Sequence, residues 1–231
     1  MPKIYYSCDE IPRNWHRYFG LCNAVELDLE NLEHPPKKET LSRWRVESPK
    51  GFAFHLHADP AVIRGLADAA RRQETPDKLP ESLYEGWQTT LANAQALAAK
   101  TIVLSTPDSF TPNQRSRAAL ELFCSQCVQE APLPVIWESR GSWDTEHTRE
   151  WAAERGLTYL YDPFLALRDE IGFLHGDGAF LLTERGGVRR EFDRYELRRL
   201  VDKLSSYDRA FFFLRGRFKW SHAESFRELD L

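Results

Sequence analysis

Eight short runs rich in β-branched and aromatic residues recur along the chain, separated by stretches in which apolar residues return at helical spacing. The strand-like runs cover residues 3–8, 24–29, 52–56, 102–105, 135–137, 158–161, 179–183 and 210–214. The helical stretches cover 14–19, 40–46, 61–72 with 82–99, 113–129, 144–155, 195–203 and 221–229. Asp144 is placed as an N-cap and Gly156 as the stop of the helix between them. Strand–helix alternation implies parallel pairing through right-handed crossovers, because parallel neighbours cannot be joined by a tight turn. Eight such runs in 231 residues predict an α/β fold: a single TIM-like (β/α)8 barrel over residues 1–231, one domain. An open doubly wound sheet is the competing arrangement. It would lack its usual phosphate cradle, since no G-x-G-x-x-G or G-x-x-x-x-G-K-[ST] follows any run.

Composition narrows the partners. The formal net charge is −4, which gives no general attraction to nucleic acid or to an anionic membrane. The best local basic face is C-terminal: Arg185, Arg189, Arg190, Arg194, Arg198, Arg199, Arg215 and Arg217, with Phe218 and Trp220. Glu191, Asp193, Glu196 and Asp202 are interleaved there, so a solvated helix face laced with i,i+4 pairs accounts for it better than nucleic-acid binding does. No apolar run reaches the roughly 18–20 residues that cross a bilayer. Residues 1–7 run directly into a strand-like pattern without a signal-peptide core, so a cytoplasmic location and no membrane partner are expected. The four cysteines, Cys8, Cys22, Cys124 and Cys127, are too few for a disulfide scaffold. Cys124-Ser125-Gln126-Cys127 is formally a C-x-x-C, but it sits within a helical stretch and has no second pair. It reads as two ordinary helix cysteines.

Candidate chemistry lies where strands end. Pro134-Val135-Ile136-Trp137-Glu138-Ser139-Arg140-Gly141-Ser142-Trp143 and Tyr159-Leu160-Tyr161-Asp162-Pro163-Phe164 each pass from an apolar run into charge and a Gly or Pro. On parallel strands Glu138, Arg140 and Asp162 fall at C-terminal ends, where α/β folds bind ligands. Strand parity adds a second set. Phe52, Phe54 and Leu56 share one face and His55 and His57 the other, while Glu26, Asp28 and Glu30 alternate with aliphatics. Glu138, Asp162 and Glu26 are therefore the candidate catalytic carboxylates. Arg140 offers a planar fork for carboxylate or phosphate, with His57 as a ligand contact and Trp143 as a pocket wall. His55 and His57, beside these acids, are the candidate ligands of a divalent metal. Each has a plainer reading: a hydrogen-bonded polar cluster, a ring of charge at the strand ends, or, for Asp28, Glu30, Glu33 and His34, a solvated loop. Ser105, Ser109 and Ser142 lack a nucleophile elbow of the G-x-S-x-G type.

Several blocks recur in the order of a known family. They are Asn14-Trp15 with Tyr18-Phe19, Ala24-Val25-Glu26-Leu27, Trp44 followed by Pro49-Lys50-Gly51-Phe52-Ala53-Phe54, Pro107-Asp108-Ser109-Phe110, Trp137-Glu138-Ser139-Arg140-Gly141-Ser142-Trp143, and Asp162-Pro163-Phe164. Together they make the chain resemble the YecE-like proteins, domain of unknown function 72, over nearly its whole length. The resemblance implies a TIM-like barrel with no settled activity, one likened to endonuclease-IV-type enzymes. Polar rim positions depart from the family pattern. His57 stands where the family carries Lys, Ser105 where it carries Gln, Leu181-Leu182-Thr183-Glu184 where it has Arg-Leu-His-Gly, and Phe213-Leu214-Arg215-Gly216 where it has Phe-Asn-Asn. The chain looks like a divergent member. His57 in place of Lys removes a permanent cation and leaves Arg140 as the main anchor. The expectation is a barrel that binds a small anionic or phosphorylated ligand, with catalysis lost. The alternative is a metal-assisted hydrolase acting on a phosphorylated or nucleic-acid-derived substrate.

Overall fold

The computed structural model describes residues 2–10, 12–32, 34–71, 77–164, 176–183 and 191–229. The eight strands are β1 (Lys3–Cys8), β2 (Ala24–Leu27), β3 (Ala53–His57), β4 (Thr101–Thr106), β5 (Val135–Ser139), β6 (Leu157–Tyr161), β7 (Gly176–Leu182) and β8 (Tyr207–Leu214). The helices among the described residues are α1 (Trp15–Phe19), α2 (Lys38–Glu47), α3 (Pro60–Arg71), α4 (Glu81–Leu97), α5 (Gln114–Phe123), α6 (Thr145–Ala153), α7 (Arg194–Asp202) and α8 (Lys219–Arg227). The strand order is β1-β8-β7-β6-β5-β4-β3-β2, with parallel pairing at β1–β8, β3–β4, β4–β5, β6–β7 and β7–β8.

Every expected run became a strand, and the differences lie at the ends. β7 begins at Gly176, earlier than expected, because Gly176 and Gly178 carry no β propensity to read. The helix expected over 113–129 is α5 followed by a π-helical turn, Cys124–Val128. Asp144 caps α6 by accepting from His147 N, as its sequence position implies. α6 stops at Ala153, and Gly156, at φ +76°, makes the left-handed turn into β6. Glu33, Glu184, Arg185, Arg189 and Arg190 lie outside the described residues.

The chain divides into two compact units. One comprises Met1–Leu27, Ser48–Ala53 and Leu160–Leu231, the other Asp28–Glu47 and Phe54–Tyr159. In the first, the Asn23 side chain accepts from Tyr6 N at 2.8 Å and donates to Ile4 O at 2.9 Å, fixing the approach to β2 against β1. The buried Tyr18 hydroxyl donates to Ala24 O at 3.0 Å and accepts from Cys8 N at 2.9 Å. Its ring meets Phe52 and Trp220 edge-on, with Phe19 also against Phe52. Such edge-to-face contacts add to the area buried.

In the second unit, β3, β4 and β5 carry two kinds of face. Trp137 is fully buried on one side of β5, against Trp143, Trp151 and Tyr159. Glu138, its neighbour, points the other way, as alternation requires. Helices α3 and α4 pack closely because Gly65 and Gly86 supply no side chain: a Cβ on Gly65 would lie 2.7 Å from Leu83 Cβ, and one on Gly86 2.9 Å from Ala61 Cβ.

Candidate functional site

The site is built by register. His55 lies opposite Thr101, His57 opposite Val103, and Ser105 opposite Glu138, so polar side chains from three adjacent strands share one face near the C-terminal ends. The lower layer is closed: His55 is fully buried and its Nδ1 lies 2.7 Å from Thr101 Oγ1. In the upper layer the Ser105 hydroxyl donates to Glu138 Oε2 at 2.7 Å and lies 3.5 Å from His57 Nδ1. Because the hydroxyl proton is committed to the carboxylate, Ser105 can serve His57 only as an acceptor. The order His–Ser–Glu, with serine in the middle, is not that of a nucleophile triad, where histidine sits between serine and carboxylate.

Arg140 follows β5 directly. Its Nε lies 3.7 Å from Glu138 Oε1, with Glu138 1% exposed and the arginine side chain 47% exposed. Its backbone N–H donates to Thr106 O at 3.1 Å, which anchors the chain as it leaves the strand. Gly141 is required next, since a Cβ there would sit 2.4 Å from Phe110 O. The same carbonyl accepts from Trp143 Nε1 at 2.6 Å. Trp143 is buried, stacked on Phe110, with the Arg117 guanidinium 5.4 Å from its ring centre. It braces the loop that carries Arg140 and does not line the cavity beside it.

That cavity has a volume of about 240 Å³ and is lined by His57, Ser105, Arg140, Asp28, Glu30 and Arg64 among others. Arg64 lies 3.9 Å from Glu30, both well exposed. Arg64 had no signal of its own in the sequence, and Ser105 was marked only as a rim position that departs from the family's Gln. Ser105 became readable only through the register with Glu138, and Arg64 through α3 starting immediately after β3. Asp28 is organised locally: its carboxylate accepts from Glu30 N at 3.1 Å and Asn31 Nδ2 at 2.9 Å.

Glu26 and Asp162 belong to the first unit. Glu26 is held by a two-pronged fork, Arg215 Nη2 to Oε1 at 2.5 Å and Nε to Oε2 at 3.2 Å. Glu26 is 3% and Arg215 14% exposed. Asp162 Oδ1 accepts from Phe164 N at 2.8 Å, shaping the turn after β6.

Among the described residues, no group of three or more His, Cys, Asp or Glu side chains is arranged to hold a metal ion. The C-x-x-C thiols lie in the π-helical turn, and burial pushes Cys124 up to about 12 and Cys127 up to about 11, so both are protonated at neutral pH. The C-terminal arginines that are described have intramolecular contacts: Arg194 donates to Glu228 O, Arg198 to Leu229 O, and Arg217 lies over the Phe218 ring. Among the described residues, no helix is long and apolar enough to cross a membrane.

Parallel strands alternating with helices, with polar side chains gathered at strand C-terminal ends, define a protein of the TIM-barrel class. The family described as protein of unknown function DUF72 matches residues 5–162, and the chain belongs to that family. A solved DUF72 family protein from Enterococcus faecalis V583 is similar over 100% of this chain and 99% of its own, at 14% identity and a TM-score of 0.64. A xylose isomerase domain containing protein from Salmonella typhimurium LT2 is similar over 97% of this chain and 94% of its own, at 15% identity and a TM-score of 0.56. A fusion of a xylose isomerase-like TIM barrel with 4-hydroxyphenylpyruvate dioxygenase covers 98% of this chain with 42% of its own, at 11% identity and a TM-score of 0.59. Likeness at these identities shows the fold. No curated protein matches the sequence.

Proposed function

We propose that this DUF72 protein binds a small anionic ligand at the C-terminal ends of β3, β4 and β5, with Arg140 as its anchor. One observation carries the reading. The Arg140 guanidinium lines the cavity, stands half exposed, and makes no side-chain hydrogen bond among the described residues. The Glu138 carboxylate approaches its Nε at 3.7 Å, a charge contact beyond hydrogen-bond length that leaves the donors of the fork for a carboxylate or phosphate. His57 and Ser105 supply further polar contacts on the same wall. Glu138 itself does not line the cavity, so any proton passed between it and a ligand travels through the Ser105 hydroxyl.

Calorimetric titration with inorganic phosphate tests the reading. Arg140→Ala is expected to weaken binding about 10- to 100-fold, the loss of charge-assisted hydrogen bonds worth about 1.5–3 kcal/mol. Arg140→Lys, which keeps the charge and loses the fork, should fall between. Equal affinity in wild type and Arg140→Ala would overturn the assignment.

A further inference from the structure

A second cavity, of about 360 Å³, adjoins the first and shares Asp28, Glu30, His57 and Arg64 with it. Its remaining polar lining comes from the start of α3 and the middle of α4: Asp59, Thr89, Thr90 and Asn93. This wall is rigidly set. Asp59 N donates to Thr90 Oγ1 at 2.8 Å, and Asp59 Oδ1 accepts from Ala61 N at 2.8 Å. Gly86 lets α4 come this close, since a Cβ there would lie 3.2 Å from Asp59 Oδ1. Asn93 makes no hydrogen bond among the described residues, leaving its amide oxygen and both its N–H donors for whatever enters.

The two cavities want different chemistry. Beyond the shared Asp28, Glu30, His57 and Arg64, the first adds Ser105 and the Arg140 guanidinium, which lies 3.7 Å from Glu138 and makes no side-chain hydrogen bond among the described residues. To the same shared lining the second adds the Asp59 carboxylate, the Asn93 amide and Thr89 and Thr90, whose hydroxyls donate to Glu85 O and Gly86 O and leave their oxygens as acceptors. Carboxylates repel a second anion and accept hydrogen bonds from hydroxyl groups, while the Asn93 amide can both donate and accept. A ligand that spans both is therefore anionic at one end and neutral and polyhydroxylated at the other. No Phe, Tyr or Trp among the described residues lines either cavity, so a nucleobase would have the His57 ring and the arginine planes, and no larger aromatic face, to stack on. We propose that the ligand is a free sugar phosphate, its phosphate on Arg140 and its hydroxyls against Asp59 and Asn93. This rests on the anion-binding reading of the first cavity and adds the class of ligand. The volumes suit it, as small-molecule sites commonly enclose roughly 300–1,000 Å³.

The test is a calorimetric comparison of three probes, inorganic phosphate, ribose 5-phosphate and adenosine 5′-monophosphate, on wild type and Asn93→Ala. Ribose 5-phosphate is expected to bind at least about tenfold more tightly than phosphate, the gain from one or two added hydrogen bonds. Asn93→Ala should reduce that advantage and leave phosphate affinity unchanged. Adenosine 5′-monophosphate should bind no better than ribose 5-phosphate. Phosphate and ribose 5-phosphate binding equally would overturn the sugar assignment while leaving the anion site standing. Tighter binding of the nucleotide would overturn it in favour of a nucleotide ligand. Failure of all three probes to bind would overturn both readings together.

Discussion

Two of the glutamate–arginine pairs, Glu26–Arg215 and Glu138–Arg140, are built for different ends. In the first unit Glu26 and Arg215 meet as a fork at 2.5 and 3.2 Å, with the carboxylate 3% exposed. In the second, Glu138 is as deeply buried, but the approach of Arg140 is 3.7 Å, from Nε, and its side chain is 47% exposed. Both pairs join a strand carboxylate to an arginine just past a strand end, so residue type does not separate them. Geometry does. A closed fork uses both carboxylate oxygens and the planar edge of the guanidinium, leaving little for a ligand. A 3.7 Å charge contact in place of hydrogen bonds, with Ser105 on the other carboxylate oxygen, leaves the donors of the half-exposed arginine available to a ligand.

The largest expected effect separates the pairs by stability. Arg215→Ala strands a buried carboxylate and should cost about 3–5 kcal/mol in urea denaturation. A loss under about 1 kcal/mol would put this pair among exposed surface pairs and erase the contrast.

Raising the pH should unfold the protein without discharging either guanidinium. Burial raises the pKa of Cys124 from 9.0 to about 12, of Cys127 from 9.0 to about 11, and of Tyr6 from 10.0 to about 12. The folded state holds these protons after the unfolded chain has released them. Their stabilisation is therefore complete below about pH 9 and is lost as the pH rises through the folded values, with a slope of up to about 1.4 kcal/mol per pH unit for each group. Urea midpoints measured from pH 8 to 11 should fall, and Cys124→Ala should flatten the fall. A flat profile in wild type would contradict the burial of these groups.

The smallest expected stability effect belongs to Arg140. Arg140→Ala should change unfolding free energy by no more than about 1 kcal/mol, because its contact is long and half exposed. A loss comparable with that of Arg215→Ala would make both pairs structural and leave no anchor for a ligand.

The fold was legible because buried parallel strands are dense in β-branched and aromatic residues, and such density survives without knowledge of partners. The ends of β7 and α5 were not legible, because Gly176 and Gly178 carry no strand signal and Cys124–Val128 widens into a π-helical turn with no compositional mark. At the site, Glu138 and Arg140 could be placed at a strand end from where the apolar run stops, and His57 from strand parity. What could not be read were partners distant in sequence. Arg215 lies 189 residues from Glu26, and Ser105 lies 33 from Glu138; only register brings them together. Trp143 shows the same limit. Its place in a polar loop reads as a pocket wall, but the carbonyl it donates to belongs to Phe110, 33 residues earlier, and draws it inward.

The most direct test reads both arginines in one experiment. In a ¹⁵N-labelled sample, the Nε–H resonances of Arg140 and Arg215 can be assigned by substituting each in turn and followed as inorganic phosphate is added. The Arg140 resonance should move with saturable dependence on phosphate while the Arg215 resonance stays fixed. A moving Arg215 resonance, or an Arg140 resonance that phosphate leaves unchanged, would contradict the division between a closed structural pair and an open ligand anchor.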